Sequence, residues 1–349
     1  MPPDIPWADA VRREAFLTWF ARIAPAHGLQ SDTLAAASAD ASFRRYFRVR
    51  GRAGTLIVMD APPPLEDVRP FVRMAGRIAG AGLNAPQVLE NDPGQGFLLL
   101  TDLGSTLYLD ALRDAGPAEA DRLMREALQA LVHFQLHVGH EDLPAYDEAL
   151  LARELALFPE WCVQREFGIT WTPAQQATWD RVSRALIDSA LAQPQVTVHR
   201  DWMPRNLMIA DPNPGILDFQ DAVRGPVTYD VASMLRDAFL SWDEPREIDW
   251  AVRWWEQARR AGIPLGETMG HDFGEFWRAL EWMGLQRHLK VLGIFCRLKH
   301  RDGKPKYADD LPRFFSYATR VANRYGPLRP LLPLLEPMSG KSVASGFTF

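Results

Sequence analysis

Residues 196–221, VTVHRDWMPRNLMIADPNPGILDFQD, constrain what this chain can fold into more than any other stretch. Residues 196–198 are β-branched and read as a strand that delivers His199, Arg200 and Asp201 into a loop. Asn206 follows Asp201 by five positions. Two apolar runs, 207–210 and 216–219, flank Asp211-Pro212-Asn213-Pro214-Gly215, a strong turn signal. The spacing predicts a hairpin pairing Ala210 with Ile216, Met208 with Asp218 and Asn206 with Gln220. Opposed residues share a face, so Asn206 and Asp218 point to one side as near neighbours. An amide oxygen and a carboxylate converging at the open end of a hairpin make a hard-oxygen site. Such a site suits a magnesium ion that keeps waters and phosphate oxygens.

Upstream, residues 42–50 (SFRRYFRVR) alternate, with Phe43, Phe47 and Val49 on one face and Arg44, Tyr46 and Arg48 on the other. A turn at 51–54 and a second strand at 55–60 complete a hairpin. After Ala61-Pro62-Pro63-Pro64, the apolar positions Val68, Phe71, Val72, Ala75, Ile78 and Ala79 fall at helical spacing, and Gly80 and Gly82 end that helix. Strands follow at 87–90 and 97–101. The expected order over the first hundred residues is strand, strand, helix, strand, strand. A connector at 102–105 then leads into long helical segments, among them 118–137 and 273–299. The fold class is therefore α+β, with a small β-rich lobe over residues 1–103 and a larger helical lobe over 104–349. The tail from Arg329 is expected to be a surface extension.

Bulk properties exclude several functional classes. The chain has 349 residues, 24% of them charged, and a formal net charge of -5. That mild acidity offers nothing for nucleic acid. Cys162 and Cys296 are far apart and in no C-x-x-C pattern, which speaks against a disulfide framework or a cysteine zinc site. The first sixteen residues carry several charges and no apolar core of a secretory signal, and no apolar run approaches a bilayer span. A cytoplasmic location, away from the membrane, is expected.

The loop and hairpin match the protein-kinase pattern H-R-D-x-x-x-x-N followed by a metal-binding Asp-Phe. In that pattern Asp201 accepts the substrate hydroxyl proton, while Asn206 and Asp218 hold magnesium on the transferring phosphates. Together with ASFRRYFRV (41–49), LIVMDAPP (56–63), FLLLTDLG (97–104), LDFQDAVRGPVTYDVASMLRDAF (217–239) and GLQRHLKVLGIF (284–295), these residues carry a resemblance over nearly the whole chain. The chain resembles the aminoglycoside phosphotransferase and choline kinase group. Within that group it is most similar to the bacterial anomeric kinases of N-acetylmuramate and N-acetylglucosamine in cell-wall recycling. The resemblance implies a two-lobed protein-kinase-like fold and ATP with Mg2+. It also implies a hinge at residues 101–104, with Thr101, Asp102 and Leu103 receiving adenine, and an amino-sugar substrate phosphorylated at C1.

One position departs from the group. The third N-lobe strand there carries a lysine for the α- and β-phosphates, and Met59 stands at that place; no lysine precedes Lys290. Arg44 or Arg45, in the first hairpin, is the expected substitute. Arg287, Lys290 and Arg297 share a helical face and form either a solvated stripe or a cationic wall for an acidic substrate group. Asp221 and Arg224, just past the hairpin, are candidates to touch the sugar. Asp230 reads as a helix N-cap. His133 and His137 sit one helical turn apart but lack the glutamate of a metal-binding helix motif. Two rivals stay open on residues alone: a kinase of an aminoglycoside, choline or homoserine, and a nucleotide-binding pseudokinase motivated by Met59.

Overall fold

The first element is a helix, α1 (Ala10–His27), which the expected order of strand, strand, helix, strand, strand does not contain. Asp9 caps it by accepting a hydrogen bond from Arg12 N at 2.7 Å, and Gly28, at φ +62°, closes it in the left-handed region. Phe16, Trp19, Phe20 and Ile23 recur at i, i+3, i+4 and i+7 and form its buried stripe. The computed structural model describes residue 7, residues 9–39 and residues 43–339. Ser42, which opens the first predicted strand, and residues 340–349 of the predicted C-terminal extension lie outside the described residues.

The chain divides into two compact units. One comprises the chain up to Ala111 with Arg205–Asp221, and the other Leu112–Pro204 with the chain from Ala222. This division into compact units differs from the expected two lobes meeting after residue 103 in two respects. The boundary falls later, and the hairpin carrying Asn206 and Asp218 packs with the first unit because Asn84 and Leu107 bridge to Gly215 and Met208.

In the first unit, β1 (Gln30–Ala39), β2 (Arg45–Gly51), β3 (Gly54–Asp60), α2 (Arg69–Gly80), β4 (Val88–Asp92) and β5 (Phe97–Thr101) follow α1. The strands form one antiparallel sheet in the order β1-β2-β3-β5-β4. The predicted β2–β3 hairpin, α2 and β5 are present; α1 and β1 are additional. Phe47, Val49, Val58, Phe97 and Leu99 pack with the stripe of α1, each such large apolar side chain contributing roughly 1.5–3 kcal/mol by burial. Tyr46, Arg48, Ile57 and Met59 alternate onto the other face, with Tyr46 opposite Met59 and Arg48 opposite Ile57. Phe43 precedes β2 and is exposed, so it does not join the core face expected for it. Beneath the sheet Asp60 is fully buried between the guanidiniums of Arg12 (Nε 2.9 Å) and Arg45 (Nε 3.0 Å).

The hairpin of this unit pairs Leu207 with Ile216 and Met208 with Gly215, not Ala210 with Ile216 as the spacing suggests. The strands part early because Ile209 N donates to Thr106 O (2.9 Å) and Ala210 N to the Asn213 side chain (3.3 Å). That leaves residues 209–214 as the loop.

The second unit is built around the helix Phe273–His300, 28 residues buried along most of its length. Gly293 in it is obligatory. A Cβ there would lie 2.4 Å from the Leu157 carbonyl carbon, where the chain enters a π-helix at Phe158–Glu166. Arg236, fully buried, donates to Glu247 (3.0 Å) and Glu281 (2.7 Å). Arg320 and Arg324 reach the same two carboxylates at 2.9 and 2.8 Å. No helix among the described residues is long and apolar enough to cross a membrane.

Candidate active site

The second unit presents Asp201. The strand Gln195–Val198 pairs antiparallel with Val223–Pro226 and ends at Val198 opposite Val223, which releases His199–Asp201 as a loop. Arg200 takes φ +78°, a conformation that a non-glycine residue holds only where its surroundings enforce it. Asp230 does the enforcing: its carboxylate accepts from His199 N at 2.6 Å and Arg200 N at 2.9 Å. The N-cap expected at Asp230 is corrected, since Thr228 holds that position and Asp230 reaches across to the loop. Burial pushes the Asp230 carboxyl up to about 7, against the pull of those two amides.

The loop's arginine is anchored as well. Arg200 Nη2 donates to Glu154 Oε1 at 2.6 Å, Lys290 Nζ lies 3.0 Å from the same oxygen, and Tyr146 donates its hydroxyl to the other. Burial raises the Glu154 carboxyl, but the Lys290 and Arg200 charges outweigh it and hold it below the usual carboxylate range. Lys290 also donates to Tyr229 Oη at 3.0 Å. Arg287 is 2% exposed, and its Nη2 stands 4.0 Å from Oδ1 of the 42%-exposed Asp201. The solvated-stripe reading of Arg287 and Lys290 is therefore corrected. Both are buried, and Lys290 is engaged by Glu154 and Tyr229 rather than presented to a ligand.

The first unit holds a cavity of about 400 Å³ lined by the sheet face (Tyr46, Arg48, Ile57), the linker from Thr101 to Ser105, and Asn206, Met208 and Asp218. Of the linker residues named from the sequence, Thr101 commits its N–H to Gln87 O at 3.0 Å. The Asp102 carboxylate is taken by Arg48 Nε at 2.6 Å and Gly104 N at 3.0 Å, so it braces the linker where that linker lines the cavity. Burial raises the Asp102 carboxyl, and the hydrogen bonds from Arg48, Thr55 and Gly104 more than reverse it. Arg48, which also donates to Gly104 O at 2.6 Å, was not singled out by sequence; its place opposite Ile57 on the cavity face was the available signal.

Asn206 and Asp218 do converge, with Asn206 Nδ2 3.5 Å from Asp218 Oδ2. Leu217 N donates to Asn206 O at 2.9 Å, which places the two residues diagonally, and the left-handed turn at Asp218 (φ +60°) aims its carboxylate. One carboxylate and one amide, the former 40% exposed, are a donor set that fits a magnesium ion completed by waters and phosphate oxygens. The two arginines proposed for the missing lysine separate. Neither is among the residues that line the cavity, and Arg45 is turned onto Asp60. Arg44 instead lies 3.9 Å from Asp218 Oδ1 and 3.6 Å from Glu66 Oε2, while Met59 is fully buried. Glu66, unremarked in the sequence, also accepts from Phe43 N at 3.3 Å. Asp221 is exposed beside Gln220 at the end of the first unit, and Arg224 lies in the strand Val223–Pro226 of the second.

The sequence model described as the phosphotransferase enzyme family matches residues 33–265. A protein of Pseudomonas aeruginosa named N-acetylmuramate/N-acetylglucosamine kinase is 52% identical over 333 residues, 95% of each chain. A protein of the same name from Neisseria meningitidis is 46% identical over 90% of this chain and 93% of its own. Among solved structures, an ethanolamine kinase of Plasmodium vivax superposes with a TM-score of 0.62 at 8% identity, over 91% of this chain and 92% of its own. An ADP-bound aminoglycoside phosphotransferase does so at 0.53 and 13%, over 90% and 99%. The expected protein-kinase-like α+β fold is that of these neighbours.

Proposed function

The chain belongs to the phosphotransferase enzyme family, and from that premise we propose that it is an ATP- and magnesium-dependent kinase of N-acetylmuramate and N-acetylglucosamine. The phosphate goes to the anomeric C1 hydroxyl, in the recycling of cell-wall sugars in the cytoplasm. The observation that carries this reading is the convergence of Asn206 and Asp218 on one cavity of about 400 Å³, Asn206 coming five positions after an Asp201 whose loop is pinned by Asp230. The relatives' names supply the sugar. The surroundings of Asp201 support an uncharged or anionic acceptor over a cationic aminoglycoside or choline. The charges of Arg200, Arg287 and Lys290 bear on that carboxylate, with Arg200 and Lys290 also facing Glu154 and Arg287 also facing the buried Asp230 and Asp237.

In this mechanism Asp201 orients the C1 hydroxyl and takes its proton as the oxygen attacks the γ-phosphorus, and ADP leaves. Asn206 and Asp218 are the residues that would hold magnesium, which would supply charge neutralisation to the transferring phosphates. The linker at Thr101–Leu103 takes the purine through backbone groups, and Arg48 with Asp102 keeps that linker in place. Asp221 and Arg224 are the side chains assigned to the sugar at the acceptor side. Arg44, held by Glu66, provides the phosphate cation that Met59 cannot. Arg44→Ala is expected to raise the nucleotide KM roughly 10- to 100-fold, the worth of a charged hydrogen bond. Asp218→Ala should instead raise the magnesium concentration needed for half-maximal rate. Steady-state kinetics at varied ATP and varied magnesium separates the two, and an unchanged nucleotide KM in Arg44→Ala removes that residue from the phosphate site.

The position of phosphorylation has its own test. The anomeric hydroxyl is more acidic than a ring alcohol and asks less of a carboxylate base. Phosphorus NMR of the product from free N-acetylglucosamine is expected to show a sugar 1-phosphate. The methyl glycoside, blocked at C1 and otherwise nearly isosteric, is expected to give no product. A 6-phosphate, or turnover of the methyl glycoside, rules out the anomeric reading and leaves the kinase reading standing.

A further inference from the structure

The two other well-buried cations considered in the second unit each have a buried acid. Arg236 has Glu247 and Glu281 at 3.0 and 2.7 Å, and Lys290 has Glu154 at 3.0 Å. Arg287 differs from both. The one carboxylate within 4.0 Å of it is Asp201, which is 42% exposed, and its Nη1 has no hydrogen-bond partner among the described residues. Burying a guanidinium without close compensation is costly. A solvent-facing acid is a poor structural partner for it. An arginine placed so is better explained by what it does to that acid.

A second acid bears on the same guanidinium from the interior. Asp237 is fully buried, and its Oδ2 accepts from Phe239 N at 2.8 Å and Leu240 N at 3.0 Å. Its Oδ1 has no partner among the described residues. Burial pushes this carboxyl up, and the charge of Arg287 is among the influences that pull it back. Asp230, which also feels Arg287, is already committed to the backbone of His199 and Arg200. Arg287 Nη1 and Asp237 Oδ1 are both left without a hydrogen bond among the described residues, and the attraction between their charges is what links the two side chains.

Resting on the assignment of Asp201 as the base, we propose that Arg287, steadied by Asp237, is a positioning residue that holds the Asp201 carboxylate in its reactive orientation. At 4.0 Å the contact is too long for a direct hydrogen bond, so it orients the carboxylate by charge without occupying the lone pair that receives the acceptor's proton. A small misplacement of a reacting group costs about 10²-fold in rate.

The test is kinetic, with ADP release measured on the full chain with N-acetylglucosamine. Arg287→Met is expected to lower kcat about 100-fold with the nucleotide KM nearly unchanged. Arg287→Lys should recover part of that loss, and Asp237→Asn should lower kcat in the wild-type background but not further in Arg287→Met. In an Asp201→Asn background, Arg287→Met should leave the residual rate where it was, because there is no carboxylate left to orient. A merely structural arginine would lower that residual rate too and weaken nucleotide binding. If Arg287→Met does not fold, Arg287→Lys and Asp237→Asn at unchanged thermal midpoint carry the same readout. Arg287 variants within about threefold of wild-type kcat overturn the proposal while an inactive Asp201→Asn upholds the base. Full turnover by Asp201→Asn overturns the base assignment and this proposal with it.

Discussion

Asp201→Asn is expected to lower kcat by about 10²–10⁴-fold, the usual worth of a positioned general base, with nucleotide affinity close to wild type. The substitution is nearly isosteric, so the loop should survive it. Arg200 stays tied to Glu154, and the backbone of His199 and Arg200 stays tied to Asp230. What the amide cannot do is accept the hydroxyl proton. Nucleotide affinity is expected to hold because the residues lining the cavity, from Tyr46 to Asp218, do not include Asp201. Single-turnover kinetics with titration of the nucleotide separates the two quantities. Retention of more than about a tenth of wild-type kcat lies outside the range for a base and would remove Asp201 from that role.

Arg236→Met should cost the second unit about 3 kcal/mol, near the lower end for breaking a buried ion pair. Glu247 and Glu281 are fully buried and would lose the cation they share. Arg320 and Arg324 remain at 2.9 and 2.8 Å and keep part of the compensation, which is why the upper end is not expected. The Glu281 carboxylate also keeps the Tyr325 hydroxyl at 2.6 Å. In urea the unfolding midpoint of this unit should fall with little change in slope, the signature of lost stability without a change in exposed surface. Adding Glu281→Gln should restore some of the loss by removing one uncompensated charge. A loss below about 1 kcal/mol would mean that the flanking arginines neutralise both acids unaided.

Local signals read correctly where the physics is local. The β2–β3 hairpin follows from alternation and a glycine turn, and the register Arg48–Ile57 then puts Tyr46 and Arg48 on the cavity face. The proximity of Asn206 and Asp218 was legible too, although by the wrong pairing. A hairpin brings its flanks together in any register close to the true one, and the left-handed turn at Asp218 redirects the carboxylate that a plain strand would have sent elsewhere. The stripe Phe16, Trp19, Phe20 and Ile23 shows that α1 was also present in the sequence as a pattern. The strand β1, QSDTLAAASA, was not, because small and polar residues at a sheet edge carry no alternation to read.

By itself, then, the sequence determined the loop that carries Asp201, the convergence of Asn206 and Asp218 and the apolar faces that build each unit. Only tertiary structure decided which charges are engaged and by what. Asp230 looks like any helix-start aspartate until His199 and Arg200, about thirty positions away in the chain, are seen to donate to it. Arg44 and Arg45 are adjacent and chemically identical, yet one turns to Asp60 and the other toward Asp218 and Glu66. Arg287 and Lys290 have the spacing of a solvated helix stripe and are buried instead, Lys290 because Glu154, far upstream, offsets its desolvation. Periodicity reports how a segment divides between water and core. The cost of burying a charge depends on a partner brought near by the fold, and no local pattern encodes that partner.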